Sequence, residues 1–318
     1  MNKIQPLYRY LKGRLNHFAK SFWKGVVLYI NKKGPLVAGG LTFFVILSAF
    51  PLILIVISSL SSLLDQVVQV EEEVFFYINQ VFPDLDENIK VSLTKLINSQ
   101  INREESLGIK NWLFLIIAAM GGFSSTFQAI ELISGQQAPK AWKVKLKSVF
   151  VLFITIVSVL VLLVITPVGL FLADLLRSGI LQEYLVRLAD LFPQVDFLEK
   201  LITGVFLRQL IEYVVYSNLL HGVVLLLYFS WVYRHLFFRN VRWRDGLLGA
   251  FVFMGLFLVG KGLFWYYLSF TREGYQTRYG DFSTLILAIF WIYLLINSFL
   301  LSSCVCLTSS RLKKGKNF

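Results

Sequence analysis

The chain has 318 residues, a mean hydropathy of +0.66 and 56% hydrophobic residues, which excludes an ordinary soluble domain, whose apolar share is about 45–50%. Its net charge of +12 invites a nucleic-acid reading. The placement of the charges excludes it, because they are sorted by the apolar stretches that divide the chain.

Six such stretches are predicted as membrane-spanning helices, at about 36–60, 111–132, 148–172, 214–233, 246–268 and 283–307. Each is long enough for a helix to cross the hydrocarbon core, which takes about 20 apolar residues. Strands of a membrane barrel would alternate instead, and the run 149–165 is continuous. The fold class is therefore all-α, a polytopic membrane protein.

Residues 1–35 carry Leu7, Leu11, Leu15, Phe18, Phe22, Val26 and Ile30 at helical spacing, so these share one face. Arg9, Lys12, Lys20 and Lys24 occupy much of the remainder, with Tyr8, Tyr10 and Trp23 placed for the headgroup level. The pattern predicts a basic amphipathic helix in the cytoplasmic interface. Packing against the protein's own cytoplasmic loops is the alternative. Gly34-Pro35 is expected to break this helix before the first span. That span carries Gly39-Gly40 for close helix approach and Pro51 for a kink.

The gap 61–110 contains amphipathic segments, among them Ile89, Leu93, Leu96 and Ile97. The gap 173–213 repeats the theme. Amphipathic helices are expected in both outer loops. Val81-Phe82-Pro83-Asp84-Leu85-Asp86 is similar to Leu191-Phe192-Pro193-Gln194-Val195-Asp196. Either a parallel repeat or shared helix-start chemistry accounts for that.

The gaps 1–35, 133–147, 234–245 and 308–318 hold 20 of the 31 Lys and Arg and a single acid, Asp245. The gaps 61–110, 173–213 and 269–282 hold 17 of the 19 Asp and Glu. Basic loops are retained on the cytoplasmic side, so both termini are predicted inside. The resulting domains are an interfacial helix (1–35), a six-span membrane domain (36–307) and a basic cytoplasmic tail (308–318). Lys143 and Lys145 with Trp142, and Arg242, Trp243 and Arg244, are candidate contacts to anionic headgroups as well as topology determinants.

Chemistry is sparse. His17, His221 and His235 form no ligand set, and Cys304 and Cys306 are too few for a zinc site or disulfide framework. No nucleophile motif or phosphate loop is present. The cytoplasmic loops lack the carboxylates that a nuclease would need. No catalytic residue, metal or cofactor is expected, and the protein is read as not an enzyme. Polar residues within spans are better clues, because burying them is expensive. Lys261 either snorkels outward or faces the bundle to hold an anionic group. Asn297 lies mid-way along the sixth span and can bridge helices. Gln128 and Glu131 lie a turn apart at the inner end of the second. These four are the candidate substrate-binding residues. Gly246, Gly249, Gly255, Gly260 and Gly262 predict that the fifth span packs closely.

Several segments carry a family likeness. Residues 241–268, opening Val-Arg-Trp-Arg-Asp-Gly-Leu-Leu-Gly-Ala, resemble the YihY/BrkB family of bacterial inner-membrane proteins. So do Tyr279-Gly280-Asp281-Phe282, Phe290-Trp291-Ile292-Tyr293, and the first span from Ala38-Gly39-Gly40 to Phe50-Pro51-Leu52. The likeness covers roughly residues 20–310. Two places depart from it: Glu131-Leu132-Ile133-Ser134-Gly135, where the family has an Asn, and Ser302-Ser303-Cys304, where it has an acid. The resemblance implies a multi-pass protein of the bacterial inner membrane with lipid and envelope associations. The family's former ribonuclease label finds no support in these residues. The leading expectation is a transporter or flippase-like protein for a lipidic or amphipathic envelope substrate, with membrane lipids as partners and no nucleic acid. A non-transporting envelope assembly protein with protein partners is the alternative.

Overall fold

A computed structural model describes residues 4–63, 109–135, 140–177, 219–237, 241–280 and 282–313. Every regular element among them is an α-helix: α1 (Ile4–Asn31), α2 (Gly34–Leu63), α3 (Ile109–Ser134), α4 (Ala141–Arg177), α5 (Leu219–Leu236), α6 (Trp243–Tyr279) and α7 (Phe282–Lys313). Five of these contain stretches long and apolar enough to cross a membrane: Gly34–Val56, Leu113–Ser134, Ala141–Val164, Trp243–Thr271 and Leu285–Leu312. The remaining predicted span, 214–233, corresponds to α5, and its first residues fall outside the description. The outer-loop helices, the two Phe-Pro segments and residues 314–318 also lie outside the described residues.

The helices outrun their predicted spans. α4 begins at Ala141, so Lys143, Lys145 and Lys147 ride on its first turns, not in a loop. α6 continues to Tyr279, about 55 Å at 1.5 Å per residue. Polar residues next to an apolar helix cost its backbone nothing, and hydropathy alone cannot see them as helical.

The chain divides into two compact units. One comprises residues 1–156 and 226–318, the other 157–225. Among its described residues, the second holds the C-terminal part of α4 and the first turns of α5.

Within the first unit α7 is the hub, with α1, α2, α3 and α6 all against it. The run Ser302–Ser310 is buried on every side. Its residues are mostly small, which lets neighbouring backbones come close. A Cβ on Gly25 of α1 would stand 2.9 Å from the Val305 backbone, so only glycine fits that crossing. Thr308 Oγ1 donates to Ser21 O at 2.8 Å beside it. Since Ser21 meets Thr308 and Gly25 meets Val305, α1 runs antiparallel to α7 here. Its small-residue edge is thus a packed part of the bundle, while Phe18, Trp23 and Ile30 remain exposed.

The break between α1 and α2 also falls earlier than expected. Lys33 takes the positive φ of 52°, and Gly34 and Pro35 are the first residues of α2. Pro suits a first helical turn, where its missing N–H costs nothing. Gly34 leaves room for the Tyr29 ring that lies against it.

The glycines of α6 serve two different ends. At Gly246 a Cβ would meet Ser230 O at 2.6 Å, and at Gly249 it would meet Cys306 at 3.0 Å. These two close α6 onto α5 and α7. Gly255, Gly260 and Gly262 have no described neighbour within 4 Å of such a Cβ. Close packing is therefore seen at the first turns of α6, and among the described residues no helix closes on the other three. At the far end Gly280, with φ of 54°, makes the turn into α7.

The crossing at Gly25 is testable. Gly25→Ala should destabilise the protein by about 1–3 kcal/mol through overpacking, and lower its unfolding temperature in detergent. Gly13→Ala, on the same helix in open space, should leave that temperature unchanged or raise it. Equal behaviour of the two variants would refute the contact.

Candidate functional site: polar residues of the helical unit

Asn297 sits on α7 and its neighbour comes from an unexpected quarter. Tyr29 of α1 donates its hydroxyl to Asn297 Oδ1. Asn297 Nδ2 donates in turn to Tyr293 O at 2.7 Å. The amide thus bridges helices, as expected for a mid-span Asn, with its carbonyl given to α1. Burial pushes the Tyr29 phenol above its ordinary value of 10, so it stays a donor through the physiological range. Sequence reading assigned Tyr29 no role. Its only signal was a tyrosine on the edge of α1 opposite the charged residues.

Lys261 is half-buried on α6. It falls on the same stripe as Phe257, Phe264 and Leu268, which pack with Trp291 of α7. This position is in register with the face turned toward α7, with Gly260 and Gly262, which no described residue approaches, on either side. Glu131 is half-buried and Gln128 exposed on α3. Glu131 stands where α3 ends: its carbonyl accepts from the Gly135 N–H at 2.9 Å, and Gly135 adopts φ of 63°, a usual glycine helix stop. Arg311 of α7 donates to Ser134 O at 2.9 Å. A cation there suits the negative end of the α3 dipole.

A second polar knot joins α6 to α7. Asp245, the one acid of the basic gaps, is fully buried in the first turn of α6. Ser309 Oγ donates to its Oδ1 at 2.8 Å, and the helix N-terminus favours its negative charge. Its signal in the sequence was isolation, as the one acid among the basic gaps.

The headgroup candidates stay at the surface. Arg242, Trp243 and Arg244 are exposed at the start of α6, with Arg234 over the Trp243 ring at 5.7 Å. Lys143 and Lys145 are exposed on α4, and Lys143 lies over Trp142 at 5.6 Å. Lys147, which the sequence groups with Lys140, Lys143 and Lys145 as a basic stretch beside Trp142, donates to Phe237 O at 3.1 Å and lies over the Phe127 ring at 5.3 Å. It ties α4 to the end of α5 and to α3. His17 lies 3.4 Å from Ser21 Oγ, and His235 bonds Trp231 O at 2.9 Å. Among the described residues no three His, Cys, Asp or Glu side chains come together as a metal set.

Long apolar helices, polar residues bonded across them and basic ends describe a multi-pass helical membrane protein. A model of the virulence factor BrkB family matches residues 28–316, and the chain belongs to that family. No curated protein and no solved structure matches it.

The Tyr29–Asn297 bond yields a prediction. In a double-mutant cycle, Tyr29→Phe and Asn297→Leu should couple by about 0.6 kcal/mol and at most about 1.7, the range for hydrogen bonds between membrane helices. The folded phenol titrates above the unfolded value of 10.0. The coupling is therefore fully present below about pH 10 and falls as pH rises beyond it. A coupling that changes between pH 6 and 9 would contradict the assignment.

Proposed function

We propose that this BrkB-family protein crosses the bacterial inner membrane six times with both termini cytoplasmic, and that it moves a lipidic or amphipathic envelope substrate as a transporter or flippase. Charge sorting supports the orientation. α5 supplies the sixth span. α1 runs along the cytoplasmic half of α7, from Thr308 back to Asn297, tied to it by its small-residue edge, while its exposed Phe18, Trp23 and Ile30 face the lipid and the interface.

The observation that carries transport is the contrast along α6. Its first turns are closed against α5 and α7 through Gly246 and Gly249. Further on, the helix carries a half-buried lysine between two glycines that no described residue approaches. A cation within a span is expensive to hold there, which makes Lys261 the first candidate for a functional residue. Lys261 would hold the anionic group of the substrate while the apolar part stays in the lipid. Membrane lipids are then the natural partners, and no catalytic step is involved.

A non-transporting assembly role is the second reading. It is favoured by exposed aromatics at the α6–α7 turn, among them Phe270, Tyr279 and Phe282, which offer a protein partner an apolar surface. Membrane-bound ribonuclease activity has the least support.

Liposomes holding the purified chain and fluorescent phospholipid analogues separate these readings. Translocation should exceed that of empty liposomes. Lys261→Ala should slow it about tenfold or more, the weight of a hydrogen bond to a charged group, and Lys261→Arg should largely preserve it. Wild-type rates equal to empty liposomes would sink transport of these lipids. Unchanged rates in Lys261→Ala would remove Lys261 from the path.

A further inference from the structure

The start of α4 carries an open groove of about 790 Å³, lined by Trp142, Lys143, Leu146, Lys147, Phe150 and Phe153 among others. Except for Lys147, these six are exposed. They make a column with two cations and an indole at one end and aliphatic and aromatic residues beyond. From Trp142 to Phe153 the column rises about 16 Å at 1.5 Å per residue. One leaflet of hydrocarbon is about 15 Å thick. The apolar part of the column, from Leu146 to Phe153, accounts for about 10 Å of that rise, so it accommodates about the first two thirds of an acyl chain.

Its electrostatics ask for an anion. α4 has no acid in its first turn, and the sequence from residue 133 to 147 contains none, yet it holds Lys140, Lys143, Lys145 and Lys147. Cations at a helix N-terminus oppose the dipole. Lys147 is held at the groove by its bond to Phe237 O and its place over Phe127, and Lys143 lies over the Trp142 ring. Two cations are thereby held beside the groove instead of sweeping the surface.

We propose that this groove is a binding site for an anionic phospholipid of the cytoplasmic leaflet. The phosphate lies between Lys143 and Lys147 at the positive end of α4, and one chain runs along Leu146, Phe150 and Phe153. Lys145 is exposed but is not part of the groove, so the site divides two lysines that the sequence leaves equivalent. The inference rests on the proposed membrane embedding and orientation. It does not require transport.

Native mass spectrometry of the detergent-solubilised full chain tests it, with phosphatidylglycerol and phosphatidylcholine titrated separately. Phosphatidylglycerol should be retained in preference to phosphatidylcholine. Lys143→Gln should weaken that retention about fivefold, the weight of one basic residue at an anionic surface, and Lys145→Gln by less than about twofold. Lys143→Gln leaves the Lys147 tie intact, so folding is not at stake. Equal losses in the two variants would mean a diffuse surface charge and overturn the site. So would equal retention of the two lipids, or retention of neither. Lipid retained by a chain that translocates nothing in liposomes would sink the transport reading and leave this site standing.

Discussion

The arrangement of the first unit depends on one constraint: the end of α7 must be enclosed by other helices. From Ser302 to Ser310 no side of the helix is exposed. α1, α3 and α6 reach that end, and they do so because hydroxyls, thiols and glycines leave room. In a bilayer the lipid tails are as apolar as leucine, so burying larger apolar side chains would gain little. Close van der Waals contact and interhelical hydrogen bonds supply the attraction instead. Gly25 against Val305 and Gly249 against Cys306 are contacts of this type. The buried Cys304 and Cys306 serve as small packing residues.

Hydrogen bonds then set which helix goes where. Thr308 to Ser21, Ser309 to Asp245, Arg311 to Ser134 O and Tyr29 to Asn297 each join α7 to a different helix or to a different level of α1. Each is modest alone, but an alternative packing would leave several of these groups buried and unmatched, at a cost of about 1–3 kcal/mol apiece. This set of bonds specifies the assembly more than it strengthens it. Where the family's usual acid is replaced by Ser302-Ser303-Cys304, Ser302 and Ser303 bond within α7, and the buried acid of this region is Asp245, on α6.

The same contrast between closed and open packing frames the functional proposals. The tightly closed end is built from short side chains and is poorly suited to moving a substrate. Lys261, further along α6, stands between glycines that no described residue approaches. The groove on α4 lies at the surface, where basic and aromatic residues meet the apolar column of a single helix. A lipid-handling protein needs both kinds of place: one where a headgroup can rest and one where a charge can be held within the apolar layer.

The sequence by itself determined the helical class, the places of the apolar stretches, the sorting of the charges between them and the family likeness. Each of these is written locally, in apolar length and loop charge. It also marked Asn297 as a bridging residue and Lys261 as a charge out of place. It did not reveal that Tyr29 is the partner of Asn297, that Asp245 is fully buried, or that Lys147 is tied to Phe237. Nor did it reveal that two of the six glycines of α6 pack closely while no described residue closes on the other four. Those facts join residues up to 268 positions apart, or depend on what fills the space beside a backbone. Only the tertiary structure decides them, because helical periodicity says which residues share a face and not what that face will meet.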